Sequence, residues 1–413
     1  MLKREAEPAV LRAGLLAVVL LLAPLTLLFG NGSGRRGEDY DTELWWFVSD
    51  IPLAFLTLAA LPAIAVVVRG RSWSARLLTL VAVLVVIAFA VHPSARGVAQ
   101  SFRLIGAVAV ASTVLTDRAG TSWRVALAVS AIFQTVVATA QALTGGAVGL
   151  GVLGEADDPF YTVGAVQAPS GTLPHPYVLA GFALAASSVL VRRAVARRSP
   201  AWAAAAALAF APISFTYSRA AAGGAVLLLL ALAVGAIRDG RRYRFVLTGL
   251  VFVAVVGGLL GRDGWESRVT QTTSATSEAD LTTDRGQLAR RAVEIVKDHP
   301  VSGVGPGRYV AALPRGSILK PVHTVALLVA AEAGVLAGVA VLLLIAHIGV
   351  TAARRDACAV GVWLSLLPPL FLDHWAYSFP VGLVMLGVWV GDLDGPTASP
   401  GAAASDAELV HLA

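Results

Sequence analysis

The chain has 413 residues, of which 57% are hydrophobic and only 14% charged, against about 25% charged in an ordinary soluble domain. That excludes a disordered chain and a single soluble domain. The net charge of +6 invites a nucleic-acid reading, but the basic residues lie in short loops between apolar runs, where charge sets membrane topology, so no nucleic-acid partner is expected. The single cysteine, Cys358, excludes an internal disulfide and a cysteine-based zinc site.

In chain order there are twelve apolar runs: 10–29, 44–68, 75–91, 98–116, 123–144, 176–191, 200–216, 220–237, 243–261, 321–350, 357–372 and 375–391. Crossing a bilayer takes about 20 residues. The expected fold is therefore an all-α polytopic membrane protein with about twelve transmembrane helices. The runs 200–216 and 220–237 lie so close that one long bent helix could mimic them. The first run has no small-x-small cleavage site and another span follows it directly, so it reads as a span, not a signal peptide.

Charge gives the orientation. With the N-terminus cytoplasmic, 18 of the 32 Lys and Arg fall inside, and the short outer loops carry only Arg35, Arg36, Arg96, Arg103 and Arg219. The remaining nine lie in 262–320, and long loops are largely exempt from the positive-inside rule. Both termini are thus expected in the cytoplasm. Spans one to nine occupy 1–261. An extracytoplasmic loop follows at 262–320, with an amphipathic helix at 284–298. Spans ten to twelve occupy 321–395, and 396–413 reads as a disordered cytoplasmic tail. A second outer segment, 145–175, is rich in Gly and Pro and carries Glu155, Asp157 and Asp158.

Polar residues on the outer side carry the chemistry. Tyr217-Ser218-Arg219 precedes a run of small residues. Ser218 can cap the next helix, and a helix N-terminus beside a guanidinium suits an anion. On the helix 284–298, Leu288, Ala289, Ala292, Val293, Ile295 and Val296 form one face by a 100° period. Arg285 projects at the centre of that face. Burying an unpaired charge is costly, so an anion should meet it. Fraying of the first turn, with Arg285 in water, is the plain alternative.

The stretch His299 to Arg308 places Gly303, Gly305 and Gly307 alternately. Such a stretch can aim backbone N–H groups at phosphate, or be only a turn-rich connector. His323-Thr324 opens the tenth run, with Glu332, Gly334 and Gly338 beyond. A neutral imidazole can take a proton from a hydroxyl. Glu332 lies nine residues on and should face away from His323, as a hydrogen-bonding group between helices. Glycines four apart allow close helix packing.

Together these residues resemble the O-antigen ligase and O-antigen polymerase superfamily. Ser218-Arg219 with small residues after it is similar to that family's Ser-Arg-Gly/Ala motif. Arg285, the helix and His299-Pro300-Val301-Ser302-Gly303-Val304-Gly305-Pro306-Gly307 resemble its outer-loop signature. His323-Thr324, nine residues, then Gly334 and Gly338 resemble the ligase pattern, with Thr324 where Asn, Ser or Gln is usual. Pro174-His175-Pro176-Tyr177 resembles the family more loosely. The match covers about 165–340.

The resemblance implies a GT-C-like membrane glycosyltransferase acting on the outer face of the plasma membrane. Its donor would be a polyprenyl-diphosphate-linked glycan and its acceptor a lipid, a glycan or a protein, with no cofactor and no catalytic metal. Arg219 and Arg285, helped by Ser218, would hold the diphosphate, and His323 would be the general base. Tyr217, His175, Gly303, Gly305, Gly307, Glu332, Asp373 and His374 are secondary site candidates. Asp373 and His374, at the turn before the last span, would be the next bases to consider.

A polysaccharide polymerase would share the donor half of the site. Two other classes compete. A twelve-span transporter fits the span count, but a long outer segment between spans nine and ten breaks a six-plus-six pattern. A metal-dependent glycosyltransferase would use Asp39 and Asp41 of Asp39-Tyr40-Asp41, whose oxygens suit Mg²⁺ or Mn²⁺.

Overall fold

The computed structural model describes residues 2–25, 28–29, 46–70, 72–117, 121–156, 161–163, 166–273, 278–314 and 320–395. Asp39, Asp41, Asp157, Asp158 and the tail from 396 lie outside the described residues.

The structure is helical. In chain order come α1 (Leu2–Leu22), α2 (Asp50–Arg69), α3 (Trp73–Val91), α4 (Ala95–Thr116) and α5 (Thr121–Thr144). Then follow α6 (Pro176–Arg197), α7 (Pro200–Phe210), α8 (Arg219–Asp239), α9 (Arg241–Leu260), α10 (Arg262–Thr273) and α11 (Glu278–Asp298). The chain closes with α12 (Val325–Ala333), α13 (Val335–Ala353), α14 (Ala357–Leu372), α15 (Trp375–Ser378) and α16 (Pro380–Asp394). Two antiparallel pairs of two-residue strands complete it: β1 (Leu28–Phe29) with β2 (Trp46–Phe47), and β3 (Thr162–Val163) with β4 (Val166–Gln167).

Each of the twelve apolar runs holds helix. Among the described residues, eight helices are long and apolar enough to cross a membrane: α2 to α6, α8, α9 and α13. Pro8–Leu22, Pro200–Ser214 and α14 are apolar but shorter. Polar residues set the helix starts: the side chains of Ser94, Ser218 and Asp356 accept the N–H of Gly97, Ala221 and Ala359, satisfying donors that a first turn leaves open.

Helix α6 is the axis of the bundle, buried over 94% of its apolar stretch, whereas α9 is buried over 22% and stands at the rim. The sequence of α6 explains this. Small residues let neighbours come close, and Gly181 lies under the Trp375 ring, where a Cβ would be 2.3 Å from Cε2. Its buried Ser187 donates to the Ala206 carbonyl at 3.0 Å. The ends of α6 differ in character. At its C-terminal end Arg192 and Arg124 hold Asp392 at 2.7 and 2.6 Å. At its N-terminal end His175 faces a cavity, and 22 helical residues separate the two ends by roughly 33 Å.

Of three sequence expectations, the separateness of the close pair of runs is met and the other two need correction. The close pair of runs is two helices: α7 ends at Phe210, a 3₁₀ turn follows at Ala211–Ser214, and Tyr217 takes φ 54° before α8. Helix α11 begins at Glu278, so Arg285 stands in its interior and not in a fraying first turn. The tenth run is not one span. Gly334, at φ 90°, breaks it, and a Cβ there would lie 2.0 Å from the Val301 carbonyl oxygen. Gly338 then packs back on Ala330 and Ala326. In a continuous helix Gly338 and Ala326 would be about 18 Å apart. Helices α12 and α13 therefore form a hairpin, and Gly334 and Gly338 serve that elbow, not packing between separate spans.

Candidate active site

The hairpin decides where His323 goes. The residue precedes α12, at the end remote from the Gly334 elbow, and lines a cavity of about 720 Å³. Arg219, Arg285, Ser218, Tyr217, His175, Asp373, His374, Gly307 and Glu332 line the same cavity. Of the secondary candidates, Gly303 and Gly305 alone are not among its lining residues.

Five arginines line the cavity, from four helices: Arg96 and Arg103 on α4, Arg219 on α8, Arg268 on α10 and Arg285 on α11, with Arg103 paired to Asp50 at 2.8 Å. Arg219 opens α8, under the Ser218 cap, whose Oγ accepts the Ala221 N–H at 3.3 Å. Arg285 sits on α11 in line with Leu288, Ala292 and Ile295, all buried, but is itself exposed, one turn before the stripe goes under, and reaches the cavity from that end. Val293 is 41% exposed and stands outside that stripe, against expectation. Arg268, on α10, lines the cavity as well. Arg219 is repelled by Arg268 and by Arg285, so three like charges from distant parts of the chain are gathered together.

The glycine stretch has a different task from the one its spacing suggests. The N–H groups of Gly303, Val304 and Gly305 donate to the carbonyls of His299, Ala331 and Glu332. That of Gly307 donates to the Glu332 carboxylate at 2.9 Å. These donors are engaged, so the phosphate-cradle reading of Gly303, Gly305 and Gly307 gives way. The stretch is a clasp that caps the C-terminus of α12, whose last carbonyls would otherwise lack partners. Its glycines are needed at φ 59°, 99° and 69°. A Cβ on Gly303 would lie 2.3 Å from the Glu332 carbonyl carbon. Gly303→Ala is accordingly expected to cost on the order of 1–3 kcal/mol, read as a lower unfolding midpoint of the purified protein. An unchanged midpoint means the clasp holds nothing.

Glu332 is the centre of that clasp. It accepts from the N–H of Gly307 and Tyr309 and, at 3.1 Å, from the Tyr377 hydroxyl. The Tyr309 hydroxyl in turn donates to the Leu288 carbonyl at 3.1 Å, one turn from Arg285. One carboxylate thus ties the His323 hairpin to the Arg285 helix. The hydrogen-bonding role expected of Glu332 is seen, but its orientation is not. Helix α12 begins only at Val325, so counting helical turns from His323 does not apply, and both residues line one cavity.

Three imidazoles line the cavity. The His323 and His374 rings meet edge to face at 5.6 Å between centroids. His374 Nδ1 lies 2.9 Å from Ser378 Oγ, and the His175 ring lies 4.1 Å from that of Tyr177. Burial, then the Arg285 and Lys320 charges, lowers His323 to about 4. Burial, then Arg268, lowers His175 to about 3. Burial, then His323 and His175, lowers His374 to about 3. All three rings are neutral at pH 7, so the positive charge of the cavity belongs to its arginines and Lys320. Burial raises Asp373 to about 7, against the N–H groups of His374 and Trp375 and the charge of Arg285. Its Oδ1 accepts both N–H groups, at 2.6 and 3.3 Å.

Sequence reasoning missed Arg96, Arg103, Arg268, Lys320, Tyr161 and Tyr377. Arg268 and Lys320 lie in the outer segment, whose basic residues topology had set aside. Among the described residues no group of three His, Cys, Asp or Glu is placed to hold a metal ion.

Fold and cavity define a helical, multi-pass membrane protein with a cationic pocket lined in part by a clasped hairpin. Residues 203–342 match the family model described as O-Antigen ligase. The resemblance to the O-antigen ligase and polymerase superfamily thus holds over the third of the chain that carries Arg219, Arg268, Arg285, the clasp and His323. No curated protein matches the chain.

Proposed function

We propose that the protein is an O-antigen ligase-like membrane glycosyltransferase. It transfers a glycan from a polyprenyl diphosphate carrier to an acceptor hydroxyl on the outer face of the plasma membrane, with both termini cytoplasmic. One observation carries the reading: Arg219, Arg285 and His323, far apart in sequence, line one cavity. Guanidinia hold phosphate oxygens in forked, charge-assisted bonds, and a neutral imidazole beside them can accept a proton.

In the reaction the acceptor oxygen attacks the anomeric carbon from the side opposite the phosphate. The bond from that carbon to the phosphate oxygen breaks, and its electron pair stays on the diphosphate. The acceptor proton passes to His323. The anomeric configuration inverts. Arg219 and Arg285 stabilise charge where it grows, which is the role of a preorganised electrostatic site.

The test is transfer by the purified protein from a polyprenyl-diphosphate glycan to a hydroxyl-bearing acceptor. Transfer is expected to persist in EDTA. Loss in EDTA with recovery on adding Mg²⁺ or Mn²⁺ moves the chemistry to Asp39 and Asp41. Absence of transfer, with glycan-independent solute uptake into proteoliposomes, establishes the transporter instead.

A further inference from the structure

Arg268 is held in place with unusual care for a residue of a polar helix. Helix α10 docks through Trp265, whose Nε1–H donates to the Ser214 carbonyl at 2.5 Å and whose ring meets Tyr217 edge on. Gly264 permits this approach, since a Cβ there would lie 2.1 Å from the Tyr217 ring. Arg268, three residues on, shares the inward face of the helix. Its Nε–H donates to the Tyr217 carbonyl at 3.4 Å, and its guanidinium carbon lies 5.2 Å from the Tyr161 ring centroid. Both anchors leave the guanidinium on the cavity wall, close to Arg219.

We infer that Arg268 is a third phosphate-facing guanidinium of the site, and that it meets the charge that appears only as the diphosphate leaves. This rests on the glycosyltransferase reading above. The donor is a diphosphate diester with two ionised oxygens, which Arg219 and Arg285 match. Breaking the glycosidic bond leaves a new oxyanion on the diphosphate, the electron pair of the broken bond. A third cation, anchored before the reaction, has that charge to meet. An interaction made only with the departing group raises the rate without tightening ground-state binding, and a preorganised donor pays no reorganisation at that moment. The neighbouring His175 is neutral and supplies no such charge.

The experiment compares wild type, Arg268→Gln and Arg268→Lys in donor binding and single-turnover transfer, with unfolding midpoints measured alongside. Arg268→Gln is expected to slow transfer about 10²-fold, as does loss of one positioned oxyanion donor, while donor affinity stays within about threefold of wild type. Arg268→Lys keeps the charge and loses the fork, so it is expected to recover part of the rate. Two results overturn the inference: affinity and rate falling together, which makes Arg268 a ground-state binder, or both remaining at wild-type values, which makes it a packing residue. If Arg268→Gln does not fold, full wild-type transfer by a folded Arg268→Lys together with unchanged affinity equally overturns the need for a fork. Absence of wild-type transfer sinks the reading of the whole site, whereas normal transfer by Arg268→Gln sinks this inference alone.

Discussion

Arg285→Ala and Arg219→Ala are each expected to weaken donor binding and to remove most transfer. A hydrogen bond to a charged partner contributes about 1.5–3 kcal/mol, so each change should raise the donor Kd about 10- to 100-fold. Transfer should fall further, because the same groups face the charge that develops on the leaving group. Arg→Lys at either position should also be harmful, since an ammonium cannot make the planar fork. Arg285→Ala carries a second signature. Its charge helps to lower His323 and opposes the rise of Asp373. Without it the His323 value should move up from about 4, and Asp373 should move up as well. NMR titration of the donor-free variants reads both. If Arg285→Ala binds donor as tightly as wild type, the diphosphate is not held at Arg285.

Which parts of this were legible in the sequence has a physical explanation. The helices follow from hydropathy, because a bilayer core demands apolar side chains and internally satisfied backbones. Arg285 was legible because it breaks a stripe set by Leu288, Ala292 and Ile295, and a broken local pattern needs no partner to be noticed. The elbow at Gly334 was not. Apolar residues continue on both sides of it, and what forces the break is the Val301 carbonyl, which belongs to a different part of the chain. The clasp was half legible: alternating glycines marked a turn-rich stretch, but only the fold shows that their N–H groups face α12 and not a ligand. Arg268 left no local mark at all. Helix α10 is polar around most of its surface, and its inward face is made by Trp265 and Arg268 against a turn about fifty residues earlier. Charge counting had excluded the whole segment from the topology argument, and so removed Arg268 from view.

His323→Ala is expected to lower single-turnover transfer by about 10²–10⁴-fold, the usual loss for a positioned base, with donor binding nearly intact. The site predicts an unusual pH dependence beside it. Transfer needs the neutral imidazole, so kcat/KM should rise with pH through about 4, the value to which burial, Arg285 and Lys320 lower His323, and level off well below neutrality. A base so depressed is always available at pH 7 but accepts a proton weakly. The bound diphosphate changes this. Its charge offsets Arg285, one of the two cations that depress His323, so the limb seen in kcat should lie at higher pH than the limb seen in kcat/KM. The donor would thus strengthen the base that attacks it, and the imidazole would remain a poor base while the site is empty. Coincident limbs, absent from His323→Ala, would leave His323 as the base but remove the coupling through Arg285. A His323→Ala variant that transfers at near wild-type rate would remove the base itself. Asp373 would then be the group to replace first, since it lines the same cavity and burial raises it to about 7, where a carboxylate can take up a proton near neutral pH.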